Sequence, residues 1–196
     1  MPEPPSVVVL AGPNGAGKST AAPALLRGRL AVGHFVNADE IARGLSAFEP
    51  ESVAVPAGRI MLTRLKELAR DRRNFAFETT LATRSFAPWI RSLSEAGYEF
   101  HLVFLWLPSA DLAVARVADR VVQGGHHVPE EVIRRRHAAG MRNFQDLYRP
   151  LSTSWQVYDN SRRTRLRSIA RGAGLQVELI GRPTEWRRFE DQAGGR

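Results

Sequence analysis

No cysteine occurs in these 196 residues. That excludes a disulfide framework and a thiolate zinc site, and it suits a reducing compartment. Lysine is scarce too: Lys18 and Lys66 stand alone, so arginine carries the formal net charge of +8. No apolar run approaches the roughly 20 residues of a membrane span. The opening Met1-Pro2-Glu3-Pro4-Pro5 has no basic stretch followed by a long apolar one. The expectation is a soluble, cytoplasmic chain with no membrane partner, and no internal repeat is visible.

A basic balance invites nucleic acid. The arginine-rich segments Arg134-Arg135-Arg136 and Arg162 to Arg167 lack the interleaved aromatics of a stacking platform, so general nucleic-acid binding is disfavoured. His126 and His127 are adjacent, their side chains diverge, and no Cys or His stands at ligand spacing from them, which speaks against a structural metal site. With 43% apolar residues, the chain has enough for one well-filled core. A single domain over residues 1–196 is the expectation.

The strongest positive signal is Gly12-Pro13-Asn14-Gly15-Ala16-Gly17-Lys18-Ser19-Thr20, entered from the apolar run Ser6 to Ala11. The spacing G-x-x-x-x-G-K-[ST] belongs to a phosphate-binding loop whose backbone N–H groups wrap a phosphate between a strand and a helix. Lys18 is expected to reach the β- and γ-phosphates of ATP, and the Ser19 hydroxyl to bind Mg²⁺.

Strand-like runs recur at Val7–Leu10, His34–Val36, Phe75–Phe77, Phe100–Leu107, Gln156–Tyr158 and Gln176–Ile180. Helical spacing lies between them, as in Ile60, Leu62, Leu65 and Leu68. The two ends, Met1–Pro5 and Asp191–Arg196, read as frayed. The pattern predicts an α/β, P-loop NTPase or kinase-like fold: a parallel sheet flanked by helices, with ligands beyond the carboxyl ends of the strands.

Functional residues are therefore sought just after each strand. Asn37 and Glu40 have the spacing of a helix-capping box, and Asp39 between them stands where a kinase needs a carboxylate to accept the proton of the attacking hydroxyl. Arg43, one turn on, either holds an anionic part of the substrate or pairs with Glu40. Glu78, ending an apolar strand, needs a partner such as Mg²⁺-bound water, an arginine or a substrate hydroxyl. Thr79 and Thr80 add polar contacts or simply build the turn. Farther on, Gly124-Gly125 lie between arginine-bearing helices, which suggests a helical lid over about residues 116–136. Its arginines, Arg120 with Arg134 or Arg135, would neutralise the transferring phosphoryl group. Asp159-Asn160-Ser161 follows another strand and is expected near the base of the nucleotide, together with Arg162–Arg167.

These segments, with Gly97-Tyr98-Glu99 opening a later strand, resemble the zeta toxin family of P-loop kinases from about Val7 to Ser161. The resemblance implies ATP-dependent phosphorylation of a sugar hydroxyl, in known members that of UDP-N-acetylglucosamine. It implies Asp39 as the base, Glu78 and Thr80 as holders of the amino sugar, Lys18 and Ser19 as nucleotide and magnesium ligands, and an antitoxin protein as partner. Two other readings stand beside it: a kinase acting on nucleic-acid ends or another nucleotide, and a nucleotide-dependent switch without an acceptor.

Overall fold

A computed structural model describes residues 3–26, 32–162 and 165–194. The apolar run before the glycines forms β1 (Ser6–Ala11), which lies inside the sheet with β3 (Phe75–Thr79) and β4 (Glu99–Trp106) parallel on either side. Its side chains alternate between two cores. Val7, Val9 and Ala11 face one, and Val8 and Leu10 face the other. A parallel strand covered on both sides must be apolar at every position, which is why the sequence shows a continuous run without alternation.

Seven strands make one sheet in the order β2-β3-β1-β4-β5-β6-β7, with β2 at His34–Val36, β5 at Ser154–Asp159, β6 at Arg167–Ala173 and β7 at Gln176–Ile180. The first five are parallel, whereas β6 pairs antiparallel with β5 and β7 antiparallel with β6. The expected all-parallel sheet is thus extended by a hairpin. β6 escaped notice because its sequence, RSIARGA, alternates buried Ile169 with arginine and glycine and never gathers an apolar run.

The helices are α1 (Lys18–Leu26), α2 (Ala38–Leu45), α3 (Ala54–Arg70), α4 (Phe86–Glu95), α5 (Ala110–Val122), α6 (Glu130–Asn143) and α7 (Pro183–Gly194). α3, α4 and α7 cover one face, and α1 and α5 the other. α6 joins the two cores, with Ile133 in one and Met141 in the other. On α3 the inward stripe is Ala57, Met61, Leu65 and Leu68, and the expected Ile60 and Leu62 are exposed instead. Residues 57, 61, 65 and 68 follow the four-and-three spacing of one helix face more closely.

Within the described residues, both end segments are more ordered than expected. The Pro5 carbonyl accepts from the Glu99 N–H and continues the β1–β4 ladder. α7 runs to Gly194 with Ala193 buried, and Trp186 and Phe189 fill the core beneath it. Residues 1–2, 163–164 and 195–196, on which parts of the expectations for both ends and for Arg162–Arg167 fall, lie outside the described residues.

Candidate active site

The carboxyl ends of β1, β2, β3 and β5 open into one cavity of about 960 Å³. Its floor is the loop between β1 and α1. Asn14, Gly15, Gly17, Lys18, Ser19 and Thr20 line the cavity, whereas Gly12, Pro13 and Ala16 of the same loop do not. Gly12 has φ +142°, and a Cβ there would overlap the Leu105 carbonyl of β4. The loop can therefore leave the sheet at this point only with glycine.

Lys18 opens α1 and is buried, 6% exposed, with its ammonium donating to the carbonyls of Gly12 at 2.8 Å and Pro13 at 3.0 Å. Burial pushes its pKa below the ordinary lysine range. Glu78 and Asp39 pull it back up, and Arg120 lowers it further. A buried cation so placed is a ready partner for phosphate oxygens.

Glu78, at the end of β3, meets this loop directly. Its Oε1 is 3.7 Å from Lys18 Nζ, and its Oε2 accepts from Ser19 Oγ at 2.8 Å and from Asn37 Nδ2 at 2.8 Å. The costly carboxylate at the end of an apolar strand is thus satisfied by the phosphate loop and by the start of α2. Asn37 does two things at once. Its Oδ1 accepts from the Asp39 N–H at 2.8 Å and caps α2, while its amide nitrogen reaches Glu78. The cap alone was legible in the sequence. The Glu40 half of the expected capping box is spent otherwise, in an exposed ion pair with Arg43 at 2.8 Å.

The side walls carry opposite charges. Asp39, Glu40 and Arg43 of α2 stand on one, with Thr79 and Thr80. The two threonine hydroxyls accept from the N–H groups of Leu81 at 3.1 Å and Ala82 at 3.4 Å, so they build the turn as well as line the cavity. Arg116, Asp119 and Arg120 of α5, His126 of the following loop and Arg136 of α6 form the other wall. Arg120 donates to the His126 carbonyl at 3.0 Å, and its buried Nε has no hydrogen-bond partner among the described residues.

Arg134, expected here, is elsewhere. It lies outside the cavity lining, and Asp111 and Glu130 hold its guanidinium at 2.7 Å each. Consecutive helix residues diverge by about 100°, and Arg136, on the face of α6 that buries Ile133 and Gly140, lines the cavity instead. Arg136 lies 3.4 Å from Asn14 Oδ1 of the loop. Burial lowers its pKa, Arg135 lowers it further, and Asp39 counters both. Arg136 and Asp39 thus face each other closely enough to interact.

Asn160, Arg165 and Leu166, in the connection between β5 and β6, complete the lining, with Asn160 beside the phosphate loop. Among the described residues no three His, Cys, Asp or Glu side chains gather as a metal cage, and no helix is long and apolar enough to cross a membrane.

An uncharacterized protein of Haemophilus influenzae is 28% identical over 128 residues, 64% of this chain and 88% of that relative. Among solved structures, the PezAT chromosomal toxin-antitoxin system of Streptococcus pneumoniae matches with TM-score 0.67 at 16% identity, over 100% of this chain and 81% of that one. AvrRxo1-ORF1:-ORF2 with ATP matches with TM-score 0.69 at 15% identity over 95% of this chain, which spans only 64% of that neighbour. Such likenesses speak for the fold, a P-loop kinase-like one. Residues 7–147 match the family model AAA_33, described as an AAA domain, and the chain belongs to that family.

Proposed function

We propose that the protein is an ATP-dependent phosphotransferase acting on a hydroxyl of a small molecule. One observation carries this reading. Lys18 and Ser19 of the phosphate loop both meet Glu78, and Asp39 lines the same cavity close enough to influence Lys18. A nucleotide switch would need the loop but not a second carboxylate at an acceptor position.

In this reading the backbone of Gly12–Thr20 and Lys18 hold the phosphates of ATP. Ser19 Oγ and Glu78 would hold Mg²⁺. They are an all-oxygen pair from the phosphate loop and a neighbouring strand end, which suits a hard cation that also takes substrate phosphates as ligands. Bound there, the cation supplies charge neutralisation at the phosphate oxygens. Glu78 then acts on the metal side of the site, whereas the family resemblance implied an amino-sugar contact. Thr80 and Arg43 remain to orient the acceptor.

Asp39 takes the proton of the acceptor hydroxyl as its oxygen bonds to the γ-phosphorus. The bond from that phosphorus to the bridging oxygen breaks, and ADP leaves with the electron pair. Lys18, Arg120 and Arg136 offset the charge spread over the transferring group, since phosphoryl transfer depends on positioning and electrostatics.

The resemblance to zeta toxins makes UDP-N-acetylglucosamine the first acceptor to try, with a cytoplasmic location. The match to a toxin-antitoxin system supports an antitoxin partner. The test is incubation with Mg²⁺-ATP, with and without the sugar nucleotide, and mass spectrometry of the products beside Asp39→Asn. A phosphorylated sugar nucleotide that disappears in the variant supports the whole reading. Product formed only with oligonucleotide 5′-hydroxyl ends would transfer it to nucleic-acid repair chemistry, and ATP binding with no acceptor product would leave a switch.

A further inference from the structure

Asn160 follows β5 and stands against the phosphate loop, far away in sequence. Its Nδ2 donates to the Ala16 carbonyl at 2.7 Å. A Cβ on Gly17 would come within 2.8 Å of the same nitrogen, so the contact is direct, with no room for an intervening water. Gly17 has φ +76°, a conformation in which glycine is at ease but not held. The peptide between Ala16 and Gly17 could turn over at small cost unless something fixed one of its ends.

We propose that Asn160 is the positioning residue that fixes this peptide, and with it the nucleotide affinity of the loop. A trans peptide sets its C=O and N–H on opposite sides. Anchoring the Ala16 carbonyl on Asn160 therefore turns the Gly17 N–H the other way, as a phosphate-donating turn requires. Asn160 acts through Ala16 and needs no contact with the reacting atoms.

The surroundings argue that its amide is not needed to hold the backbone there. The Asn160 N–H donates to the Trp106 carbonyl at 3.1 Å, extending the sheet ladder. Arg116 Nη2 holds the Ser161 carbonyl at 2.8 Å, and Asp159 accepts from the Ser161 N–H and pairs with Arg167. These anchors persist when the side chain is cut back. The same connection supplies Arg165 and Leu166 to the cavity lining, so Asn160 ties that segment to the phosphate loop.

The inference rests on the nucleotide reading, and the experiment separates the two. ATP, inorganic tripolyphosphate and adenosine are titrated against wild type, Asn160→Ala and Asn160→Asp, with thermal unfolding of each. Expected for Asn160→Ala is a five- to tenfold loss for ATP and tripolyphosphate, an unchanged adenosine affinity and a nearly unchanged melting temperature. Asn160→Asp, which sets an acceptor against the carbonyl, should lose about thirtyfold or more. Equal polyphosphate affinity in all three proteins would overturn the proposal. So would a loss shared by adenosine, since that marks general collapse of the segment. Wild type that binds none of the three would overturn the nucleotide reading, and the proposal with it.

Discussion

At the phosphate end of the cavity, Lys18 is 6% exposed and Glu78 12%, and each is held by backbone or by a neighbouring side chain. At the rim proposed for the acceptor, Arg43 is 50% exposed and pairs with Glu40 on its own helix. The first is a buried charge cluster, costly to desolvate and therefore bound to a fixed geometry. The second is a solvated pair that can exchange partners at small cost. In the proposed reading, electrostatics that must be ready before reaction is built into the sheet ends, while recognition of the acceptor is left to side chains on helix surfaces.

The comparison breaks most visibly at Asp39, which belongs to the rim by position and to the chemistry by proposed role. Asp39→Asn should lower phosphoryl transfer by about 10⁴-fold, the upper range for a general base, with ATP affinity within about twofold by calorimetry. Near-normal transfer would remove Asp39 from the mechanism. Next comes the pair of arginines on α6. Arg136→Ala should cost about 10³-fold in kcat and Arg134→Ala no more than about twofold. Equal effects in steady-state kinetics would mean that the inward turn of α6 is immaterial.

A pH series sharpens the contrast further. Burial lowers the pKa of Lys18, and phosphate binding needs the charged form. ATP affinity should be flat below that lowered pKa and fall by about tenfold per unit above it, beginning below the ordinary lysine range. Binding in that region should take up a proton, which calorimetry reads from its buffer dependence. In the folded protein the charged ammonium is the disfavoured form, so its burial costs stability at low pH. That cost is relieved as pH rises from the folded toward the unfolded pKa. The smallest effect is expected at Arg43→Ala, a three- to fivefold rise in KM for an anionic acceptor with kcat retained.

Much of this was legible in the chain. The phosphate loop is a local motif, and its strand and helix context is written beside it. Asp39 and Glu78 could be placed because they follow apolar runs. What lay out of reach depends on how distant elements turn. Glu78 could be read as polar and in need of partners, but only the β1–β3 pairing puts it beside Ser19. The rotation of α6 was half written: Arg136 stands three residues after Ile133 and four before Gly140, on their face, whereas Arg134 matches Glu130 four residues back. β6 left no apolar signature. The helical spacing of Trp186, Phe189 and Ala193 was present but masked by the charged residues between them.

Lys18 holds the carbonyls of its own loop. Those two bonds leave one of the three ammonium N–H groups for an anion, and a guest that takes more must displace a carbonyl. A lone chloride or acetate offers too little in return, whereas a polyphosphate brings several charged oxygens together and can replace both. A loop so built would discriminate by number of charges as well as by shape, its own carbonyls competing for the cation against every weaker guest.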